Sequence, residues 1–177
     1  MLYETYKDKV YSISLYYFHG DAAAAADTTQ QVFLKVMTGL TTFRSESDFS
    51  TWLYRLVVNT CCDRSRRAYQ REVMLDPSDL ERQSSLHKQM APIQEDDLAN
   101  RQEAAYVRVA LSSLPPKLRL PILLRYFDDL SYAQLAEALD CSMGTVASRL
   151  NRGHEILRQK LASLRSGPQR SGMVQKS

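Results

Sequence analysis

The stretch Leu130–Leu157, LSYAQLAEALDCSMGTVASRLNRGHEIL, decides the fold, because it holds two short helical patterns separated by a polar break. Ala133, Leu135, Ala136 and Leu139 set small and apolar side chains on one face of a first helix. Asp140, Cys141 and Ser142 interrupt the pattern, and Val146, Leu150, Ile156 and Leu157 resume it on a second helix. The other face of that second helix carries Thr145, Ser148, Arg149, Asn151 and Arg152. This spacing predicts a helix-turn-helix. Small hydroxyls and an amide approach base edges while arginines reach phosphates, so the second helix is expected to enter a DNA major groove. An ordinary helical hairpin with a polar outer face is the plain alternative. It is disfavoured by the coincidence, at this spacing, of Ser131-Tyr132-Ala133-Gln134-Leu135-Ala136, a short turn and Gly144-Thr145-Val146.

Charge divides the rest of the chain. Residues 1–71 hold nine Lys and Arg against seven Asp and Glu, residues 72–100 two against seven, and residues 101–165 ten against six. Two basic blocks therefore flank an acidic connector, and the net charge of +3 conceals a polarised molecule suited to a polyanion. The longest apolar run is too short to span a bilayer, and the start, MLYETYKDKVY, has neither a basic leader nor a greasy core. A cytoplasmic protein without membrane insertion is expected. Cys61 and Cys62 are adjacent and Cys141 stands alone, so no C-x-x-C pair serves zinc or redox chemistry, and reduced structural thiols are expected.

The first block reads as three helices. Tyr3, Tyr6, Val10, Ile13 and Tyr17 recur at three and four residues, and His19-Gly20 ends that helix. Asp21 is an N-cap candidate for a helix from Ala22 to about Leu40, with an apolar stripe of Val32, Phe33, Val36, Met37 and Leu40. After a polar loop over 41–50, a third helix from about Thr51 to Arg71 is expected to bury Trp52, Leu53, Leu56, Val57 and Thr60. It would turn Arg55, Asn59, Asp63, Arg66 and Arg67 outward. Residues 72–100 lack sustained periodicity and contain two prolines and many acids, as befits an exposed flexible linker, with room for some helix near 80–89. A second helical unit opens around Arg101, breaks at Leu114-Pro115-Pro116 and resumes from Leu118 to Phe127, where Pro121 is expected to kink or delay it. Residues 166–177 form a tail expected to be disordered. The fold class is all-α: an N-terminal three-to-four-helix unit (1–71) and a C-terminal helix-turn-helix unit (101–165), joined by the acidic linker.

In this order of segments the chain resembles bacterial sigma factors of the extracytoplasmic-function group, over nearly everything from Tyr6 to Leu164. The resemblance rests on Asp27-Thr28-Thr29-Gln30-Gln31-Val32-Phe33-Leu34 and on Phe49-Ser50-Thr51-Trp52-Leu53-Tyr54-Arg55-Leu56 with Asn59. It rests also on Arg64, Arg66 and Arg67, Leu114-Pro115-Pro116, Leu124-Arg125-Tyr126, Leu130-Ser131-Tyr132, Gly144-Thr145-Val146 and Ser148-Arg149-Leu150. The resemblance implies a division of tasks. The first unit would dock on the clamp helices of core RNA polymerase through Asp27, Gln30, Gln31, Leu34 and Lys35. It would open the −10 element of promoter DNA through Arg55, Asn59, Arg64, Arg66 and Arg67. The second would read the −35 element through Thr145, Ser148, Arg149, Asn151 and Arg152, while the linker threads toward the active centre. The resemblance also implies an anti-sigma factor as a partner. Phe43 and Phe49 are open between core packing and a stacking platform for an extruded base, and Trp52 is expected in the core. The sequence departs from the family pattern at Gln31 and near Ala25 and Ala26, where acids are more usual. It departs again at Ala147, where Lys or Arg is common and alanine removes a bidentate guanine contact.

No catalytic residues, metal ligands or cofactors are expected. His19, His87 and His154 are scattered, and no glycine-rich phosphate loop is present. A stand-alone helix-turn-helix regulator is the competing reading, but it leaves the docking helix and the arginine-rich helix without a use.

Overall fold

The computed structural model describes residues 2–42, 48–74 and 98–166. Seven α-helices and one 3-10 turn make up these residues, with no strand among them. They are α1 (Leu2–Tyr17), α2 (Ala22–Gly39), the turn Leu40–Thr42, α3 (Phe49–Met74), α4 (Leu98–Ser112), α5 (Pro116–Asp128), α6 (Tyr132–Ala138) and α7 (Met143–Ser166). The chain is all-α, as its periodicity requires. The candidate helix near 80–89, most of the linker, Phe43 and the tail beyond residue 166 lie outside the described residues.

Local chemistry sets the helix ends. His19 and Gly20 take positive φ (59° and 89°), and the Gly20 N–H donates to the Leu15 carbonyl at 2.8 Å, which closes α1. The Asp21 side chain accepts from the Ala24 N–H at 2.9 Å, the N-cap expected of it. Helix α3 begins at Phe49, two residues before the expected start, because the Asp48 carbonyl already accepts from the Trp52 N–H at 3.1 Å. Ser131 and Gln134 form a reciprocal capping box at the head of α6. Pro121 lies inside α5 without breaking it. Its missing N–H removes one bond, to the carbonyl of Lys117 in the exposed first turn, and its ring is buried among apolar neighbours.

The first unit buries Val10, Ile13 and Tyr17 of α1 against Val32 and Val36 of α2 and Leu53, Tyr54, Val57 and Cys61 of α3. Two expectations for α2 and α3 are corrected. Met37 and Leu40, expected in the core stripe, are 71% and 40% exposed, because the buried line runs Ala25, Thr28, Val32, Val36 and Met37 lies about 100° around the helix from Val36. Trp52 and Leu56 are only half-buried, while Tyr54, Val58 and Cys61 take the core. Trp52 instead lies over α2, so close that a Cβ at Gly39 would stand 2.8 Å from its ring.

In the second unit α4 and α5 pack along α7, and α6 packs across it. Gly153 makes the closest approach: a Cβ there would come 2.4 Å from Ile122 Cδ1, so no other residue fits without repacking. Leu135 and Ala138 are the buried residues of α6. Ala133, expected on that face, is exposed.

The two units are packed together. Helix α1 lies against α4 and α5, α3 lies against α6, and one continuous apolar cluster runs from Val10 to Leu150. No helix among the described residues is long and apolar enough to cross a membrane.

Candidate nucleic-acid interface

Three surfaces carry the residues singled out in the sequence. On α2, Gln30, Leu34 and Met37 form an outward ridge at helical spacing, with Leu34 55% exposed. One side of the ridge borders a groove of about 560 Å3 lined by Tyr3, Tyr11, Phe33 and the ridge itself. The other side borders a second groove, where Asp27, Gln31 and Lys35 face Arg64, Arg67 and Arg71 of α3. The five expected docking residues are thus together on one helix. Two of them also have partners: Asp27 pairs with Arg64 at 3.3 Å, and the Lys35 ammonium donates to Thr60 Oγ1 at 3.0 Å.

On α3 the expected −10 residues divide into two groups. Asn59, Arg66 and Arg67 are exposed, Arg66 with a loose pair to Asp63 at 3.5 Å. Arg55 and Arg64 are engaged. The Arg55 guanidinium donates from Nε and Nη2 to the Glu137 carbonyl at 3.3 and 3.0 Å, and Arg64 joins Asp27 while lying 5.8 Å from the centre of the Phe18 ring. Phe49 is half-buried and packs against Tyr6 and Trp52 at the edge of the core, with centroids 5.7 and 5.6 Å away.

On α7 the helix-turn-helix presents Ser148, Asn151 and Arg152 to solvent, with Ala147 half-buried beside them. Thr145 and Arg149 are less free. Ser142 accepts from the Thr145 N–H at 3.1 Å and meets its hydroxyl at 2.9 Å, so Thr145 is part of the N-terminal cap of α7. Arg149 turns back toward the Cys141 sulfur at 3.7 Å. The face that reaches outward is therefore the line Ser148, Asn151, Arg152.

The cysteines are free thiols. Burial pushes the Cys61 thiol up to about 12 and raises Cys62 as well, so both stay protonated and unreactive near neutral pH. Among the described residues no group of His, Cys, Asp or Glu side chains is placed to hold a metal ion.

The chain is similar to known proteins over nearly all of its length. The family profile described as sigma-70 region 2 matches residues 2–71, and that described as sigma-70 region 4 matches residues 104–157. The chain is 31% identical to the extracytoplasmic-function sigma factor SigW of Bacillus subtilis over 91% of its own length and 87% of the relative's. It is 34% identical to the sigma-E factor of Escherichia coli over 93% and 86% of the two chains. Among solved structures, it shares the fold of the sigma factor RpoE in complex with the anti-sigma factor NepR from Bartonella quintana. There the TM-score is 0.68 at 20% identity, covering 91% of this chain and 94% of that one. A sigma-70 family protein is thus defined by sequence, fold and the order of its two helical units. Within that family the chain belongs to the extracytoplasmic-function group: it is a sigma factor, which binds core RNA polymerase and directs promoter recognition and opening.

Sequence reasoning missed Met37 as part of the α2 ridge, because an apolar residue next to a buried one was assigned to the core. It also missed Arg119, a 3% exposed guanidinium that donates to the carbonyls of Leu111, Ser112, Leu114 and Tyr17. Burial draws its pKa below the ordinary arginine value. It has no carboxylate partner among the described residues. What holds it is the negative end of two helices, α1 and α4, and the proline pair three residues before it was the only local sign of that junction.

Proposed function

We propose that residues 1–71 dock on core polymerase through the α2 ridge and open the −10 element through the outward face of α3, and that residues 101–165 read the −35 element through α7. Asp27, Gln30, Gln31, Leu34 and Lys35 form the docking strip, with Met37 added to it. The observation that carries this assignment is the exposure of Leu34 and Met37, at 55% and 71%, beside polar Gln30 on one helix. Exposed apolar side chains with polar flanks are what a helix-packing partner buries. Asn59, Arg66 and Arg67 act first on the −10 strand, and Arg55 and Arg64 join once their present partners are replaced. Ser148 and Asn151 read bases while Arg152 holds backbone. The protein works in the cytoplasm, where its polymerase is, and performs no catalysis of its own. The sigma factor RpoE, which shares this fold, is bound by the anti-sigma factor NepR, which supports the same class of partner here.

The docking assignment is tested by Leu34→Glu and Met37→Glu. Both side chains face solvent, so helix content should be unchanged, while affinity for purified core polymerase falls at least tenfold, about 1.4 kcal/mol or more. Unchanged core affinity in both variants would remove α2 from the interface.

A further inference from the structure

We propose that the leading edge of α7 selects a thymine in the −35 element by apolar contact: Met143 and Ala147 pack on its C5-methyl group, where a longer basic side chain would seek guanine. Met143 opens α7 and is 58% exposed, and Ala147 stands one turn on along the same edge of the helix. The buried line of α7 runs through Val146, Leu150 and Gly153, so the fold leaves the Met143 thioether outside the core that it borders. The polar groups nearby are already committed. Thr145, the one residue from Met143 to Ala147 whose side chain can donate a hydrogen bond, is tied to Ser142, and Arg149 turns back to the Cys141 sulfur at 3.7 Å. Gly144 keeps the approach open, since a Cβ there would meet only Ser142 Oγ, at 3.8 Å. A base pair can therefore come close to the helix backbone beside Met143 and Ala147.

The chemistry of the groove names the ligand. Base pairs present hydrogen-bond donors and acceptors in the major groove, and the thymine C5-methyl is the one apolar group among them. A thioether and a methyl offer neither a good donor nor a good acceptor, so over cytosine or guanine they strip water from polar groups without replacing it. Over thymine they bury a methyl instead, a contact that favours thymine at one position about three- to fivefold. Methionine suits this task because its unbranched, polarisable chain adapts its shape to the group it meets. Ser148, Asn151 and Arg152 lie on the adjoining side of α7, so the helix reads by apolar contact at one edge and by hydrogen bonds beside it.

This inference rests on the proposed reading of the −35 element by α7, and the test separates the two. Holoenzyme is assembled from purified core polymerase and the full chain, and a −35 element is selected from a randomised library with the wild type. Affinity is then measured by fluorescence anisotropy for three kinds of duplex: the selected one, versions in which each −35 thymine is replaced in turn by uracil, which lacks only the 5-methyl, and one with the element scrambled. Wild type should lose about three- to fivefold at one uracil. Met143→Gln keeps the length and the helix propensity but presents an amide, so it should bind the thymine and uracil duplexes equally. Met143→Leu, still apolar, should keep most of the preference. Met143 is exposed, so helix content should be the same in all three proteins. A selected element without an A·T pair overturns the apolar readout and leaves the −35 role of α7 standing. So does an element in which no uracil weakens wild-type binding while scrambling does. The same uracil loss in wild type and Met143→Gln overturns the assignment to Met143. If scrambling the element costs the wild type nothing, the −35 reading itself falls, and this inference with it.

Discussion

Ser148 and Asn151 are exposed uncharged polar side chains in the first turns of α7 that no cap holds, whereas Thr145 is tied to Ser142. They lie one turn apart and point the same way, with Arg152 alongside. If they read bases, Ser148→Ala or Asn151→Ala should relax preference at particular −35 positions by about 1 to 3 kcal/mol each. Arg152→Ala should weaken all promoters alike and lower the salt slope by about one. Ala147→Arg restores a long bidentate donor beside them and should shift preference toward guanine at one base pair. Selection from a randomised −35 library with polymerase and each variant checks all of these. Identical selected motifs for wild type, Asn151→Ala and Ala147→Arg would place the reading face elsewhere on α7.

At the scale of elements, α6 is the most dependent on a single local device. It spans seven residues, too few to hold by propensity, and its start is secured by the capping box. Ser131 Oγ accepts from the Gln134 N–H at 3.2 Å, and Gln134 Oε1 accepts from the Ser131 N–H at 2.9 Å. Ser131→Ala should therefore lower stability by about 1 kcal/mol in chemical denaturation. Gln134→Ala loses its half of the box and also the reach to Asp48, so it should loosen the inter-unit contact where Ser131→Ala does not. Amide exchange of the first turn of α6, compared between the two variants, separates cap from contact. Equal protection in Gln134→Ala and wild type would show that the box adds nothing to this helix.

For the whole molecule, the continuous core makes a claim about cooperativity. Helix α1 is buried on both sides, by α2 and α3 of its own unit and by α4 and α5 of the other, and Ser14 and Leu15 are buried as a result. The two units should therefore unfold as one. Trp52 is the single tryptophan and reports the first unit, whereas far-ultraviolet dichroism reports all helices. The two denaturation curves should coincide in the wild type and separate in Lys9→Asp, which turns the ion pair between α1 and Asp128 of α5 into a repulsion. Curves already separated in the wild type would show two independent domains.

The helices, the Asp21 cap and the outward-facing sides of α2 and α7 were legible in the residues because each depends on neighbours within a turn or two. Period 3.6 placed Val32 and Val36, Asp21 announced its cap, and Ser148 with Asn151 followed from helical spacing alone. Only the tertiary structure decided which apolar residues were left outside, as Met37 was, and which arginines were already committed. Arg55, Arg64 and Arg119 read alike in the chain, but one is spent on a distant carbonyl, one on a carboxylate of another helix, and one is buried where two helices end. The Glu137 carbonyl, the Asp27 carboxylate and the Tyr17 carbonyl that they meet lie between 37 and 102 positions away in sequence, beyond the reach of any local pattern. Local spacing fixes which way a side chain leaves its helix, whereas what it meets there depends on how the helices pack.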